Sequence, residues 1–148
     1  KRTVESNIYS KKIKVLNNGI ICKSLATPLL VPMIEEGFFN QRISHDIIDN
    51  YLSSQGLADI KALILGCTHY PLIKEEVTNF LEHKVEALDS SEITANFLGQ
   101  KLAAKGLLAS EKVENDEFMV SDFTQSFESS TKLFFGELIH LTLYKLWE

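Results

Sequence analysis

Cysteine is scarce in this sequence. Cys22 and Cys67 are the only two, too few for a disulfide framework, and no C-x-x-C pair marks a zinc site. His45, His83 and His140 carry no zinc spacing relative to Cys67 and His69, so no metal site is expected. Basic residues are also in deficit: 15 Lys and Arg face 20 Asp and Glu, a formal net charge of −5. That balance leaves no electrostatic footprint for nucleic acid or an anionic membrane surface, and points to small molecules or proteins as partners. No apolar run approaches the roughly 18 residues needed to span a bilayer. The opening KRTVESNIYSKKIK lacks the hydrophobic segment of a secretory signal. A cytoplasmic location follows as the expectation, with both cysteines kept as thiols. Internal repeats and low-complexity linkers are missing as well.

What is present alternates between two periodicities. Residues 4 to 16 place Val4, Ile8, Ile13 and Leu16 near one helical face, with Thr3 as a cap and Asn18-Gly19 as a stop. IICKSLA, 20 to 26, reads as a strand. PLLVPMIEEG, 28 to 37, reads as a short helix or turn, and 41 to 54 as a helix ending before Gly56. KALILG, 61 to 66, is an unbroken apolar strand of the kind found in parallel sheets covered on both faces. Pro71 suits the first turn of a helix running to about His83, and VEALDS, 85 to 90, is another strand.

The remaining segments continue the alternation. A helix from Ser90 ends at Gly106, a loop covers 110 to 117, and DEFMVSD is a strand. TQSFESSTKLFFG is a helix and ELIHLTLYKL, 137 to 146, a final strand. The alternation predicts an α/β fold with mostly parallel sheets flanked by helices. Composition shifts toward Ser and Phe after residue 90, which suggests a boundary near Asp89 to Ser91.

The chemistry concentrates in GCTHYP, 66 to 71, where an apolar strand ends on a thiol, a hydroxyl and an imidazole. In parallel α/β sheets ligands bind beyond the carboxyl ends of strands, the position of Cys67, Thr68 and His69. A helix start just beyond favours a thiolate and offers backbone N–H groups to a carboxylate or phosphate. His69 can exchange a proton with Cys67 or with substrate, and Thr68 can hydrogen-bond substrate. Taken alone, the tripeptide is better explained by a small buried Cys after a strand. Cys22 and His140, each inside an expected strand, read as structural. Glu35-Glu36 reads as a solvated helix end, with a carboxylate that orients an imidazole as the sharper alternative.

LGCTHYPLI, 65 to 73, resembles the second cysteine motif of the glutamate racemases, within the aspartate/glutamate racemase superfamily. KRTVESNIY, 1 to 9, resembles the family's Thr-x-x-Ser-x-x-Tyr segment, and ATPLLVPMIEEG, 26 to 37, its proline-flanked Glu-Glu segment. FMVSDFTQSFESSTKLFFGELIHL is similar to its carboxyl-terminal strand–helix–strand. The resemblance covers essentially the whole chain but only the later part of the family pattern. The Asp-Ser pair, the Gly-rich turn and the first cysteine motif, Ala-Cys-Asn-Thr-like, do not occur here, and Cys22 is no substitute. Because Lys1 is not an initiator Met, the sequence is expected to start partway through a longer polypeptide.

The resemblance implies a cofactor-independent enzyme that inverts the α-carbon of glutamate with two cysteines on opposite faces and supplies D-glutamate for peptidoglycan. It implies Cys67 as the acid/base acting on L-glutamate, His69 assisting, Glu36 orienting His69, and Thr68, His69 and Thr3 touching substrate. It implies that residues 1–89 form most of a middle α/β domain, its first strand missing. Residues 90–148 then form the returning part of a second, end-built domain. Glutamate is the expected small-molecule partner and a homodimer one expected assembly. Two other readings remain open: a superfamily racemase for aspartate or another amino acid, and a non-catalytic binding module.

Overall fold

The computed structural model describes residues 2–53, 57, 59–111 and 116–146. The expected stop at Gly56 and residues 112–115 of the expected loop at 110–117 lie outside them. Secondary structure alternates as α1 (Arg2–Glu5), α2 (Ile8–Leu16), α3 (Leu30–Glu35), α4 (Arg42–Leu52), β1 (Ala62–Leu65), a 3₁₀ turn (Tyr70–Ile73) and α5 (Lys74–Phe80). It continues with β2 (Glu86–Asp89), α6 (Ser90–Ala104), β3 (Phe118–Val120), α7 (Gln125–Phe135) and β4 (Leu141–Leu143). Strands β1 and β2 form one two-stranded sheet, and β3 and β4 another. The second pair is parallel, with Phe118 opposite Leu141 and Val120 opposite Leu143. The expected α/β class with short parallel sheets is therefore the one observed.

Several expected elements take a different form. The helix anticipated over residues 4–16 is two helices, because Asn7 adopts a left-handed conformation with φ 54°, which Asn tolerates better than most residues. Thr3 consequently lies inside α1 rather than capping it. IICKSLA forms no strand. Ile20 and Ile21 are 54% and 86% exposed, and without a ladder partner an extended segment gains no inter-strand hydrogen bonds to hold it. Its backbone is tied instead at Cys22, whose carbonyl accepts from the Ser10 hydroxyl at 3.4 Å. The final strand is confined to Leu141–Leu143, so His140 precedes it, with its side chain 90% exposed beside Glu128.

Compactness divides the chain into two units, Lys1–Leu63 with Glu75–Glu86, and Ile64–Lys74 with Ala87–Glu148. In the first, α3 contributes Leu30, Met33 and Ile34 to a core that also holds Ile48 of α4 and Val77 of α5. A buried carboxylate fastens this unit. Glu76, 6% exposed, accepts from the Ser44 hydroxyl at 2.6 Å and from the Asn40 backbone N–H. Ser44 also accepts from the Gln41 N–H at 3.1 Å, which closes a capping box at the start of α4.

In the second unit, α6 is capped at both ends. Asp89 accepts from the Ser91 and Glu92 N–H groups. At the other end, Gly106 (φ 63°) donates to Ala103 and Leu107 to Leu102, the paired bonds of a Schellman stop. Helix α7 is capped by Thr124, which accepts from Phe127 N–H at 3.1 Å, and ends at Gly136 with φ 77°. Side chains of α7 then steer the chain into β4. Thr131 accepts from Ile139 N–H at 2.9 Å and Glu128 from Leu141 N–H at 3.0 Å.

Candidate functional site

The site begins where β1 stops. Leu65 is 3% exposed and Ile73 1%, so the seven-residue link between them is anchored by a buried apolar side chain at each end. Gly66 follows the strand. Cys67 and His69 are half-buried and Thr68 is exposed. The backbone folds tightly here: Tyr70 N–H donates to the Cys67 carbonyl at 3.2 Å and Leu72 N–H to the His69 carbonyl at 3.1 Å. Pro71 occupies the first turn, where its missing N–H costs nothing. The expected helix thus starts as a 3₁₀ turn and continues as α5.

This turn brings the thiol and the imidazole together. Cys67 Sγ lies 3.9 Å from His69 Nδ1, and Thr68 Oγ1 lies 3.4 Å from the same nitrogen. A proton on Nδ1 is donated toward the sulfur; without it, Nδ1 accepts from the thiol. Either state suits an acid/base pair, one group holding the proton that the other has released.

Two contacts that sequence reasoning missed support the turn. Ser90, at the start of α6, donates its hydroxyl to the Leu65 carbonyl at 2.9 Å, fixing the strand end that carries Cys67. Phe134, near the end of α7, meets the His69 ring edge-to-face, centroids 5.6 Å apart and planes at 76°. Ser90 could have been suspected from its place at the end of the strand paired with β1. Phe134 carries no local signal, since 65 positions separate it from His69. Lys74, opening α5, pairs with Glu92 of α6 at 3.6 Å.

The structure therefore unites Cys67, Thr68 and His69. Thr3 and Glu36 are both exposed and belong to the other unit; their part in the site stands on the sequence resemblance. Cys22 is a half-buried free thiol in that same unit. A cavity of about 610 Å³ lies beside Met119, Asp122 and Phe127, and another of about 450 Å³ beside His45, Asp49 and Glu76. Neither is lined by Cys67 or His69. Among the described residues, no group of three His, Cys, Asp or Glu side chains could hold a metal ion, and no helix is long and apolar enough to cross a membrane.

A β-strand ending in a Cys-x-His turn, within an α/β fold of short parallel sheets, defines the class: the fold is that of the glutamate racemases. A racemase from Francisella tularensis, solved with D-glutamate, superposes with a TM-score of 0.84 at 36% identity over 96% of this chain and 54% of its own. One from Bacillus anthracis gives 0.86 at 30% identity over 97% and 54%. By sequence, the glutamate racemase of Chlorobium phaeobacteroides is 38% identical over 133 residues, 89% of this chain and 49% of that protein. That of Aquifex aeolicus is 38% identical over 136 residues, 91% and 49%. No protein-family model matches. The chain belongs to the glutamate racemase family, matching its carboxyl-terminal portion, and spans about half the length of the curated relatives.

Proposed function

We propose that this chain supplies one of the two acid/base faces of a cofactor-independent glutamate racemase, with Cys67 as the group that takes the α-proton from L-glutamate. The observation that carries this reading is the 3.9 Å approach of Cys67 Sγ to His69 Nδ1 at the end of β1. His69 assists deprotonation of the thiol, Thr68 and Thr3 contact the substrate, and Glu36 orients His69. The D-glutamate bound to the Francisella relative supports glutamate as the substrate, and the product serves peptidoglycan synthesis in the cytoplasm.

Chemically, the difficulty is that an α-proton is far less acidic than a thiol whose ordinary pKa is about 8.5. Donors fixed on the substrate's carboxylate stabilise the developing carbanion, and exclusion of water leaves the thiolate without its hydration shell. Inversion needs a second acid/base on the opposite face. The 148 residues hold one cysteine in a racemase motif, Cys67, so this chain by itself is expected not to racemise. Residues 1–89 are assigned to the middle domain of the racemase and 90–148 to the returning part of the end-built one.

Fused to the amino-terminal portion of a matched relative, the chain should exchange the α-proton of glutamate for deuterium in D₂O. Cys67→Ser should abolish turnover, because an alcohol is a much weaker acid than a thiol of nearly the same shape. Unchanged turnover in that variant would remove Cys67 from the mechanism. A substrate panel that included aspartate would test the choice of amino acid, and sedimentation of the fusion would test the homodimer.

A further inference from the structure

We propose that Phe134 is a positioning residue for the Cys67–His69 pair, holding the imidazole so that Nδ1 faces the sulfur. The proposal rests on the acid/base reading of that pair and adds to it a residue from a distant helix. Backbone geometry alone does not orient the ring, because the second side-chain torsion of histidine is broad and roughly two-fold. A half-turn about that bond exchanges Nδ1 for a carbon and takes the nitrogen away from Cys67.

Within the turn the Thr68 hydroxyl lies 3.4 Å from the same nitrogen, and a contact from outside the turn adds to that bias. Phe134 does so through its edge-to-face contact with His69, 5.6 Å between centroids at 76°, an arrangement set by the opposite charge of ring edge and ring face. Phe134 is itself held in place. The next residue, Phe135, packs edge-to-face on Phe118 of β3 at 5.3 Å and 75°, which pins the end of α7 to its sheet. Thr131, one turn earlier and 6% exposed, bonds the chain that returns to β4. Phe134 remains 45% exposed, so its contribution to a core is limited while one side of its ring meets His69.

The test uses the 148-residue chain with Cys22→Ser, leaving Cys67 as the sole thiol, and iodoacetamide as a thiolate probe from pH 6 to 9. His69→Gln is expected to slow alkylation near neutral pH. Phe134→Leu should slow it roughly two- to tenfold, the value of one aromatic pair, and shift the pH profile toward that of His69→Gln. Phe134→Tyr, which keeps the ring, should stay close to the parent, and Phe134→Leu added to His69→Gln should change nothing further. Phe134→Met repeats the measurement if Leu unfolds the helix end. A slow His69→Gln beside an unaffected Phe134→Leu overturns the proposal, as does an equal loss in the His69→Gln background, which would mark a general packing role. A His69→Gln variant as reactive as the parent overturns the thiol–imidazole pairing itself.

Discussion

In the unit formed by Lys1–Leu63 and Glu75–Glu86, Ile34 and Ile48 are 0% and 2% exposed, and a carboxylate, Glu76, is buried at 6%. In the other unit, the longest helix, α6, buries no residue, and Ile93, Phe97 and Leu98 stand 55%, 58% and 54% exposed. The two are organised by different forces. The first is a packed helical core, whose apolar residues are removed from water and whose buried carboxylate, Glu76, is hydrogen-bonded to Ser44 and Asn40. The second is fastened by side-chain-to-backbone bonds, at Thr131, Glu128 and Ser90, and holds the short parallel pair β3–β4. Apolar surface left in water contributes nothing to stability, so equal changes in side-chain volume should have unequal consequences.

The largest expected contrast is between Ile34→Ala and Phe97→Ala. Removing buried methylenes from α3 should cost about 2–5 kcal/mol of unfolding free energy. The larger deletion on α6 should change it by less than about 0.5 kcal/mol, as for other exposed sites. Urea unfolding of the two variants reads the difference, and equal losses would break the distinction between the units. Next in size, Glu76→Ala removes the acceptor of both the Ser44 hydroxyl and the Asn40 N–H. Two bonds to a charged group make a loss of roughly 2–4 kcal/mol the expected result.

In the second unit, Gly136→Ala isolates a backbone effect. A Cβ there meets nothing within 4 Å, but φ is 77°, so the cost should be that of left-handed backbone alone, about 1–2 kcal/mol. A loss well above that would show tighter packing at the end of α7 than the structure has. The smallest effect is a pH dependence. The hydrogen bond from Lys84, and then its charge, hold the fully exposed Glu82 carboxyl below its ordinary value of 4.5. Its contribution is therefore present above pH 4.5 and lost as pH falls through the lowered value. Solvent screening keeps such an exposed pair weak, so Glu82→Gln should leave the acid limb of a stability–pH curve almost unchanged.

Much of this architecture was legible because it is local. The boundaries of α4, α6 and α7, the stops at Gly106 and Gly136 and the strand before Cys67 follow from periodicity and caps that act within a few residues. IICKSLA misled for the opposite reason: its β-branched residues state a preference, and a strand exists only where a partner completes the ladder. The break in the first helix came from the backbone of a single residue, Asn7. The Asn40–Glu76 and Ser44–Glu76 bonds, 36 and 32 positions apart, left no trace in any local pattern.

The sequence by itself determined the α/β class, the family and the tripeptide Cys67-Thr68-His69, since side-chain chemistry and short-range hydrogen bonding are written in neighbouring residues. Only the tertiary structure decided that the thiol and imidazole approach to 3.9 Å, that Ser90 secures the strand end and that Phe134 lies against the His69 ring. The physical reason is that a ring's orientation is set by whatever packs against it. That neighbour is delivered by a helix 65 residues further along the chain.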